Sequence, residues 1–280
     1  MCGSVPAMTQ EGGAQGAPSV AKAWDFSERV VVVTGAARGI GAAAASLFAD
    51  LGATVVGCDR HPTDEFHDRW APAAGRPGGL RRILDVRDAG AVDAFVGEVE
   101  ERFGAVHTLV NNAGGTFVSA FLDVSDKGEA AVIAENFTQV THLVRRAVPL
   151  MGSGSSIVNI TSSEAFQAAP RFAVYAAMKA ALTQLTRTLA LELSTLGIRV
   201  NAVAPDGIPT AGDDVLKDDM AEAPAPFEPV VTPPLGWFAT PHDAATVVAF
   251  LASDLARFVT GATVNVDGGI VAAGGWRRRA

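Results

Sequence analysis

VVVVTGAARGIG, residues 30–41, is the segment from which the architecture of the chain follows. Its first five residues, Val30–Thr34, are all β-branched and predict a strand buried on both faces. The glycines after this strand predict a tight turn, and the alanine-rich stretch that comes next predicts a helix. A helix that begins at such a turn presents free backbone N–H groups and the positive end of its dipole, so we expect a phosphate group to bind here. The residues expected to contact it are Gly35, Arg38, Gly39, Ile40 and Gly41.

The remainder of the chain alternates short apolar runs with longer helical patterns. Further strands are predicted at Thr54–Cys58, Arg82–Asp85, Val106–Val110, Ser156–Ile160, Arg199–Ala204 and Thr263–Val266. Helices are predicted near residues 40–51, 89–103, 127–150, 173–195 and 241–252. Strands rich in valine and isoleucine, without polar alternation, indicate a parallel sheet that is covered on both faces. The predicted fold is α/β: a Rossmann-type, doubly wound, seven-stranded parallel sheet flanked by helices, in a single domain.

The N-terminus and one internal segment depart from this alternation. Residues 1–24 are rich in Gly, Ala, Ser and Gln, and they predict a disordered lead-in to a domain that spans residues 25–280. Residues 205–240 hold seven prolines, and such a long segment inside a domain predicts a flap over the substrate. We expect its aromatic residues to give the flap an apolar lining, and they are Phe227, Trp237 and Phe238.

The composition excludes several classes of function. A net charge of −8 disfavours a nucleic-acid partner, which would require a basic surface. Cys2 and Cys58 form no disulfide framework, and no apolar run reaches the ~18 residues that cross a membrane. The N-terminus lacks the features of a signal peptide, so we expect a cytoplasmic protein with no membrane partner. The five histidines have no ligand-like spacing, so no metal is expected.

The second predicted strand leads to Asp59, eighteen residues beyond Gly41. A carboxylate at this point of a Rossmann unit accepts hydrogen bonds from the adenosine ribose and repels a 2′-phosphate. The sequence therefore predicts NAD as the cofactor. Arg38 and Arg60 would attract a 2′-phosphate, so NADP is the alternative.

Tyr175 is the only tyrosine of the chain, and it lies four residues before Lys179 in a predicted helix. Positions i and i+4 share one helix face, so we expect the phenol and the ammonium group to converge. A free phenol has a pKa of about 10, and a nearby cation lowers it towards the range in which tyrosine acts as acid and base. Ser162 and Ser163 follow the strand Ser156–Ile160, and both are candidates for binding the same substrate oxygen.

Several segments, in content and in order, resemble the classical short-chain dehydrogenases/reductases over residues 28–270. These segments are TGAARGIG at 34–41, with the spacing G-x₃-G-x-G, LDV at 84–86, NNAG at 111–114 and Tyr-x₃-Lys at 175–179. The resemblance implies a nicotinamide cofactor. It also implies further cofactor contacts, namely Asp85 and Val86 beside the adenine, and Asn112, Ala113 and Gly114 beside the central strand.

The same resemblance implies catalytic roles. The family serine stands thirteen residues before the tyrosine, which selects Ser162 over Ser163. Tyr175 then exchanges a proton with the substrate, and Lys179 binds the nicotinamide ribose and lowers the pKa of the phenol. Asn136 matches the asparagine that supports a water-linked proton relay to the lysine. The alternative for a helical asparagine is a purely structural hydrogen bond.

RVNAVAP at 199–205 resembles the sixth strand of the family, but Asp206 stands where the family usually has glycine. The spacing after Pro205 is kept, which implies that Ile208 and Thr210 hold the nicotinamide carboxamide. Asp206 either places a carboxylate near the cationic nicotinamide or points into solvent.

Together these residues predict an enzyme, an NAD-dependent oxidoreductase that interconverts a secondary alcohol and its ketone by hydride transfer. The expected substrate is neutral or hydrophobic, a cyclic diol or a sterol-like ketone. One alternative is an NADPH-dependent 3-ketoacyl reductase, which Asp59 disfavours. Another is a catalytically silent nucleotide-binding regulatory protein, which the intact catalytic set disfavours. The helices at 127–150 and 173–195 match those through which the family forms oligomers, so a homotetramer or dimer is expected.

Overall fold

The structure, a computed structural model, describes residues 18–61, 78–209 and 232–274. Its strands are β1 (Val30–Thr34), β2 (Thr54–Asp59), β3 (Leu80–Ile83), β4 (Thr108–Asn111), β5 (Ser156–Ile160), β6 (Arg199–Pro205) and β7 (Thr263–Val266). Within the described residues they form one parallel sheet in the order β3-β2-β1-β4-β5-β6-β7. The predicted seven-stranded Rossmann-type sheet is confirmed.

Helices cover both faces of this sheet. They are α1 (Val20–Ala23), α2 (Gly39–Asp50), α3 (Ala89–Phe103), α4 (Asp126–Ile133), α5 (Gln139–Ala147), α6 (Ala173–Glu192), α7 (Pro241–Ala252) and α8 (Ile270–Ala273). A π-helical turn, Ala134–Thr138, joins α4 to α5, so the single helix predicted over 127–150 is interrupted. None of the helices in the described residues is both long and apolar enough to cross a membrane.

Two apolar layers hold the helices to the sheet. On one face, α2 and α7 pack against each other and against the central strands through small residues such as Ala44 and Ala249. Phe48 of α2 is fully buried there, edge-to-face with Phe26 at a ring-centroid distance of 5.1 Å. Burying one such side chain contributes roughly 1.5–3 kcal/mol. On the other face, α3, α5 and α6 pack through Val, Leu and Phe side chains, and Leu182 lies in this layer.

The strand order reverses between β1 and β4. From β1 the sheet runs through β2 to β3 on one side and through β4 to β7 on the other. A crevice opens outside the carboxyl ends of the strands at such a switch point, and ligands of open α/β sheets bind in it. The Gly-rich turn after β1 and the segment after β4 therefore flank the expected cofactor site.

Some predicted boundaries are wrong. The third strand is Leu80–Ile83 rather than Arg82–Asp85, because its pairing sets Leu80 opposite Val56 and Ile83 opposite Asp59. Asp85 therefore lies beyond the end of the strand. The fourth strand starts at Thr108, two residues later than expected.

The expected N-terminal lead-in also differs from the structure in its last residues. These include the short helix α1, whose first turn is capped by the Ser19 hydroxyl. Predictions on residues 1–17, Cys2 included, and on residues 210–231 of the flap, Thr210 and Phe227 included, lie outside the described residues.

Candidate active site

The Gly-rich turn is closed by side chains from the neighbouring strand. Gly35 and Gly39 adopt left-handed backbone conformations, with φ of +64° and +58°. The Asn112 side chain donates hydrogen bonds to the backbone carbonyls of Thr34 and Gly35, both at 3.0 Å. A Cβ at Gly41 would lie 2.1 Å from the Gly35 carbonyl oxygen, so only glycine fits there. The turn is thus held close to β4, with Gly35 and Gly39 partly exposed.

Thr34 is a contributor to this turn that the sequence did not single out. Its buried hydroxyl accepts hydrogen bonds from the backbone N–H groups of Asn112 and Ala113, each at 3.0 Å. Thr34 is the last residue of β1. In the sequence, only this position at the end of a strand, next to the Gly-rich turn, pointed to a role in holding the turn.

Asp59 lies buried at the end of β2, beside the turn. Its carboxylate accepts hydrogen bonds from the backbone N–H of Ala37 at 3.0 Å and of His61 at 2.9 Å. Arg38, within the turn, is exposed. The structure therefore places a fixed carboxylate at the point where the sequence predicts the adenosine ribose.

Asp85 and Val86 follow β3 on the same edge of the sheet. Asp85 forms an ion pair with Arg87 at 2.5 Å, and this guanidinium holds the pKa of the Asp85 carboxyl below its usual range. Val86 packs against the apolar layer beneath, so its side chain supports the fold. Of the two, Asp85 has the polar side chain at the surface of the predicted adenine site.

Lys179 is buried, with only 4% of its surface exposed, and its Nζ donates a hydrogen bond to the Ile160 carbonyl at 2.9 Å. This nitrogen lies 5.4 Å from the centroid of the Tyr175 ring, so the two residues converge as the helix spacing predicts. Burial lowers the pKa of Lys179 to about 8, and the carboxylates of Glu135 and Glu164 oppose that change. The ammonium group is thus a desolvated cation beside the phenol.

Asn136 lies in the π-helical turn, a local distortion that is frequent at functional sites. Its Nδ2 donates to the carbonyls of Gly115 at 2.7 Å and Val132 at 2.9 Å. Its Oδ1 is buried without a hydrogen-bond partner among the described residues. A Cβ at Gly114 would lie 2.9 Å from this oxygen and 3.2 Å from Lys179 Nζ. The absence of a side chain at Gly114 therefore leaves space between the amide and the lysine.

The two serines after β5 share the Glu164 carboxylate as a partner, and Ser163 has a second partner in Asp206. The Ser162 hydroxyl donates a hydrogen bond to the Glu164 carboxylate. Ser163 is fully buried and donates to the Asp206 carboxylate at 2.5 Å. The short helical turn that contains Ser163 and Glu164 packs against α6, which carries Tyr175. Ser163 also lies 3.3 Å from the Glu164 carboxylate, but only Ser163 is bonded to Asp206.

Asp206 neither points into solvent nor remains unpaired. Besides Ser163, its carboxylate accepts a hydrogen bond from the Gly207 backbone N–H at 2.6 Å. Burial raises the pKa of the Asp206 carboxyl, and the Ser163 hydrogen bond opposes the change. Ile208 is buried just beyond it.

The described end of the flap places Trp237 in a pocket with the apolar residues Pro233, Pro234 and Leu235, and the apolar lining over the substrate stays a prediction. Trp237 and Phe238 are 55% and 45% exposed. Phe238 does approach the backbone at Gly207, where an added Cβ would lie 3.7 Å from its ring. These aromatic side chains are therefore only partly covered by the described residues.

The known proteins that are similar to this chain include several named as reductases and dehydrogenases. A family model described as enoyl-(acyl carrier protein) reductase matches residues 35–271. A 3-oxoacyl-(acyl-carrier-protein) reductase FabG of Thermotoga maritima is 36% identical over 246 residues, which cover 87% of this chain and 98% of that protein. A cis-4-hydroxycyclohexanecarboxylate dehydrogenase of Sinomonas cyclohexanicum is 39% identical over 253 residues, covering 88% and 98%.

Similar solved structures include proteins of the same kind. A short-chain dehydrogenase/reductase of Brucella melitensis, described as a glucose/ribitol dehydrogenase, is 35% identical with a TM-score of 0.77, covering 88% of this chain and 98% of that chain. The fold and the site define an oxidoreductase of the nicotinamide-binding α/β class. The chain belongs to the short-chain dehydrogenase/reductase family, whose members use NAD or NADP.

The crevice fits such a dinucleotide. The left-handed Gly35 and Gly39 are partly exposed next to the start of α2, where a pyrophosphate would meet the free N–H groups of the helix, and the buried Gly41 lets the turn close against the helix. At the other end, the buried Asn136 Oδ1 and the Lys179 ammonium lie beside Gly114. Asp59 would hold the adenosine ribose, and Lys179 the nicotinamide ribose.

Proposed function

We propose that this protein is an NAD-dependent oxidoreductase that interconverts a neutral or hydrophobic secondary alcohol, such as a cyclic alcohol or diol or a sterol, and its ketone. The observation that carries the proposal is the buried Lys179 ammonium at 5.4 Å from the Tyr175 ring centroid. A cation desolvated in this way interacts strongly with a nearby phenolate, since no water screens it. The relatives, named as dehydrogenases and reductases, support a catalytic protein.

The chain's own residues supply proton transfer and orientation. When bound, the nicotinamide supplies the hydride acceptor or donor. In alcohol oxidation the Tyr175 phenolate takes the hydroxyl proton, and in ketone reduction the phenol returns it. The Lys179 cation favours the phenolate. The Ser162 hydroxyl turns from Glu164 to the substrate oxygen and fixes its position. Asn136, beside Lys179, provides the amide oxygen through which a proton relay is anchored.

Asp59 supports NAD as the preferred cofactor. Its carboxylate is fixed by two backbone N–H groups at the end of β2, where a 2′-phosphate would be repelled. The relative from Sinomonas cyclohexanicum acts, by its name, on a hydroxylated cyclohexane ring that also bears a carboxylate; its ring hydroxyl supports a cyclic alcohol as substrate, although not the absence of charge. The carboxylates of Glu164 and Asp206 near the serines disfavour a strongly anionic substrate.

One experiment tests the chemistry. Tyr175→Phe should abolish turnover and leave the Kd for NADH, measured by fluorescence titration, within about twofold of the wild type, since a single hydroxyl is lost. The serine pair gives a matched control: Ser162→Ala should lower kcat/KM by about a hundredfold or more, and Ser163→Ala far less. Substantial turnover by the Tyr175 variant, or a larger loss in the Ser163 variant, would overturn the assignment.

A second candidate is an NADPH-dependent 3-ketoacyl reductase, which the 36% identity to the Thermotoga maritima reductase favours. The two are separated by a turnover screen of cyclic diols, sterols, terpene alcohols and a ketoacyl thioester, each with NAD(H) and NADP(H). Higher kcat/KM for the thioester with NADPH would establish the second candidate and reject the first.

A further inference from the structure

An ion pair crosses the adenosine end of the crevice. Arg60 Nη1 lies 3.1 Å from Glu135 Oε1. Arg60 directly follows Asp59 at the end of β2, whereas Glu135 belongs to the π-helical turn that follows α4. Because β1 separates β2 from β4, the pair reaches over the carboxyl end of β1, across about 10 Å of sheet. It therefore links the end of β2 to the turn that packs against the segment after β4.

Glu135 is the fixed partner of this pair. Its side chain is 16% exposed, against 43% for Arg60. A Cβ at Gly115 would lie 3.0 Å from Glu135 Oε1, so the carboxylate rests directly against the backbone after β4. The adjacent Asn136 is bonded to the Gly115 carbonyl, which fixes the same turn. The carboxylate thus holds its place, and the long arginine side chain extends across to reach it.

The pairing decides where the positive charge at the end of β2 is located. The Arg60 guanidinium lies with Glu135, while the adjacent Asp59 carboxylate is bound by the backbone of Ala37 and His61. On the neighbouring edge Asp85 is neutralised by Arg87. A phosphate on the ribose beside Asp59 would require a free guanidinium, because Arg binds phosphate through charge-assisted hydrogen bonds.

We propose that Glu135 is a second determinant of cofactor choice, which disfavours a 2′-phosphorylated dinucleotide by holding Arg60 across the crevice. The inference rests on the proposed function only in that the crevice binds a nicotinamide dinucleotide. Asp59 repels the 2′-phosphate directly, whereas Glu135 acts through Arg60 and is a positioning residue. The contribution of the pair to the free energy of unfolding is expected to be modest, since the Arg60 side chain is 43% exposed and solvent screens the pair.

The test is direct binding of NADH and NADPH, measured by fluorescence titration at low salt. Glu135→Gln should release Arg60 and strengthen NADPH binding relative to NADH by about tenfold, the effect of one partly exposed charge-assisted hydrogen bond. Glu129→Gln removes an exposed carboxylate on α4 and is the matched control, expected to leave the ratio unchanged. A ratio that is the same in Glu135→Gln and in the wild type would overturn the proposal.

Variants of Arg60 form the second part of the experiment. In the double variant Arg60→Ala/Glu135→Gln the gain should disappear, because Glu135 acts through Arg60. If Glu135→Gln has a lower melting temperature than the wild type, the single variant Arg60→Ala tests the proposal instead. It should change the ratio of the Kd values for NADPH and NADH by less than about twofold, because Arg60 is already paired with Glu135 in the wild type. A large loss of NADPH affinity in that variant would show that Arg60 already serves the phosphate. A wild type that prefers NADPH would refute the NAD assignment, yet the shift on releasing Arg60 would still be measurable.

Discussion

Replacing Lys179 with methionine is expected to make the fold more stable at neutral pH while it stops turnover. Burial lowers the pKa of Lys179 from its ordinary 10.5 to about 8. At pH 7 the lysine is charged in both states, and the difference between the two pKa values corresponds to about 3 kcal/mol of destabilisation of the fold. Methionine removes this cost but leaves the Ile160 carbonyl without its donor, a loss of about 1 kcal/mol. The expected net gain is about 2 kcal/mol.

The sign of the pH dependence follows from the lowered pKa. Between about pH 8 and 10.5 the unfolded wild type binds a proton that the folded protein does not, so wild-type stability from this group rises with pH. The advantage of the methionine variant is therefore full below about pH 8 and shrinks above it.

The assay is urea unfolding of both proteins at about pH 7 and about pH 9.5, which bracket the titration of Lys179. Lys127→Met, at an exposed position of α4, is the control and should change the free energy of unfolding by less than about 0.5 kcal/mol at either pH. A Lys179 variant less stable than the wild type at the lower pH, or a difference that does not narrow at the higher pH, would refute the reasoning.

Two further substitutions test neighbouring residues. Burial raises the pKa of Asp206, so the contribution of this carboxyl to the free energy of unfolding is lost as the pH rises through that pKa. Asp206→Asn should therefore stabilise the fold at about pH 7 but not at a pH below about 3.9, the ordinary pKa of aspartate. Thermal melts of the variant and the wild type at these two pH values would show the difference. Asn136→Ala should lower kcat by about tenfold and enlarge the solvent deuterium isotope effect on kcat. An unchanged isotope effect would leave Asn136 with its hydrogen bonds to Gly115 and Val132 as its only role.

The fold was predictable where local sequence and tertiary pairing agree. Val30–Thr34 is a strand with the predicted bounds, because a β-branched run that ends in glycine leaves the backbone few alternatives. The strand β3 begins two residues before the predicted strand Arg82–Asp85. The sequence LRRILD has no regular alternation of apolar and polar residues, so its register is set by pairing with β2. The π-helical turn at Ala134–Thr138 was also missed, because one wide turn barely alters the apolar period of a helix.

At the site, the spacing of Tyr175 and Lys179 predicted their convergence, because helix geometry alone fixes it. The carboxylate partners were not predictable. Ser163 meets Asp206 across 43 positions of sequence, and Arg60 meets Glu135 across the sheet. Contacts of this kind depend on how strands are ordered, and they leave no period or motif in the chain.

Asn112 ties the Gly-rich turn to β4 before any ligand arrives. Loops that must order themselves around a ligand lose conformational entropy in the binding step, which weakens affinity and slows association. Here that entropy has already been lost when the chain folds, so dinucleotide association is expected to proceed with little loop rearrangement. Its thermodynamics should then reflect desolvation of the crevice, with a modest heat-capacity change, rather than coupled folding.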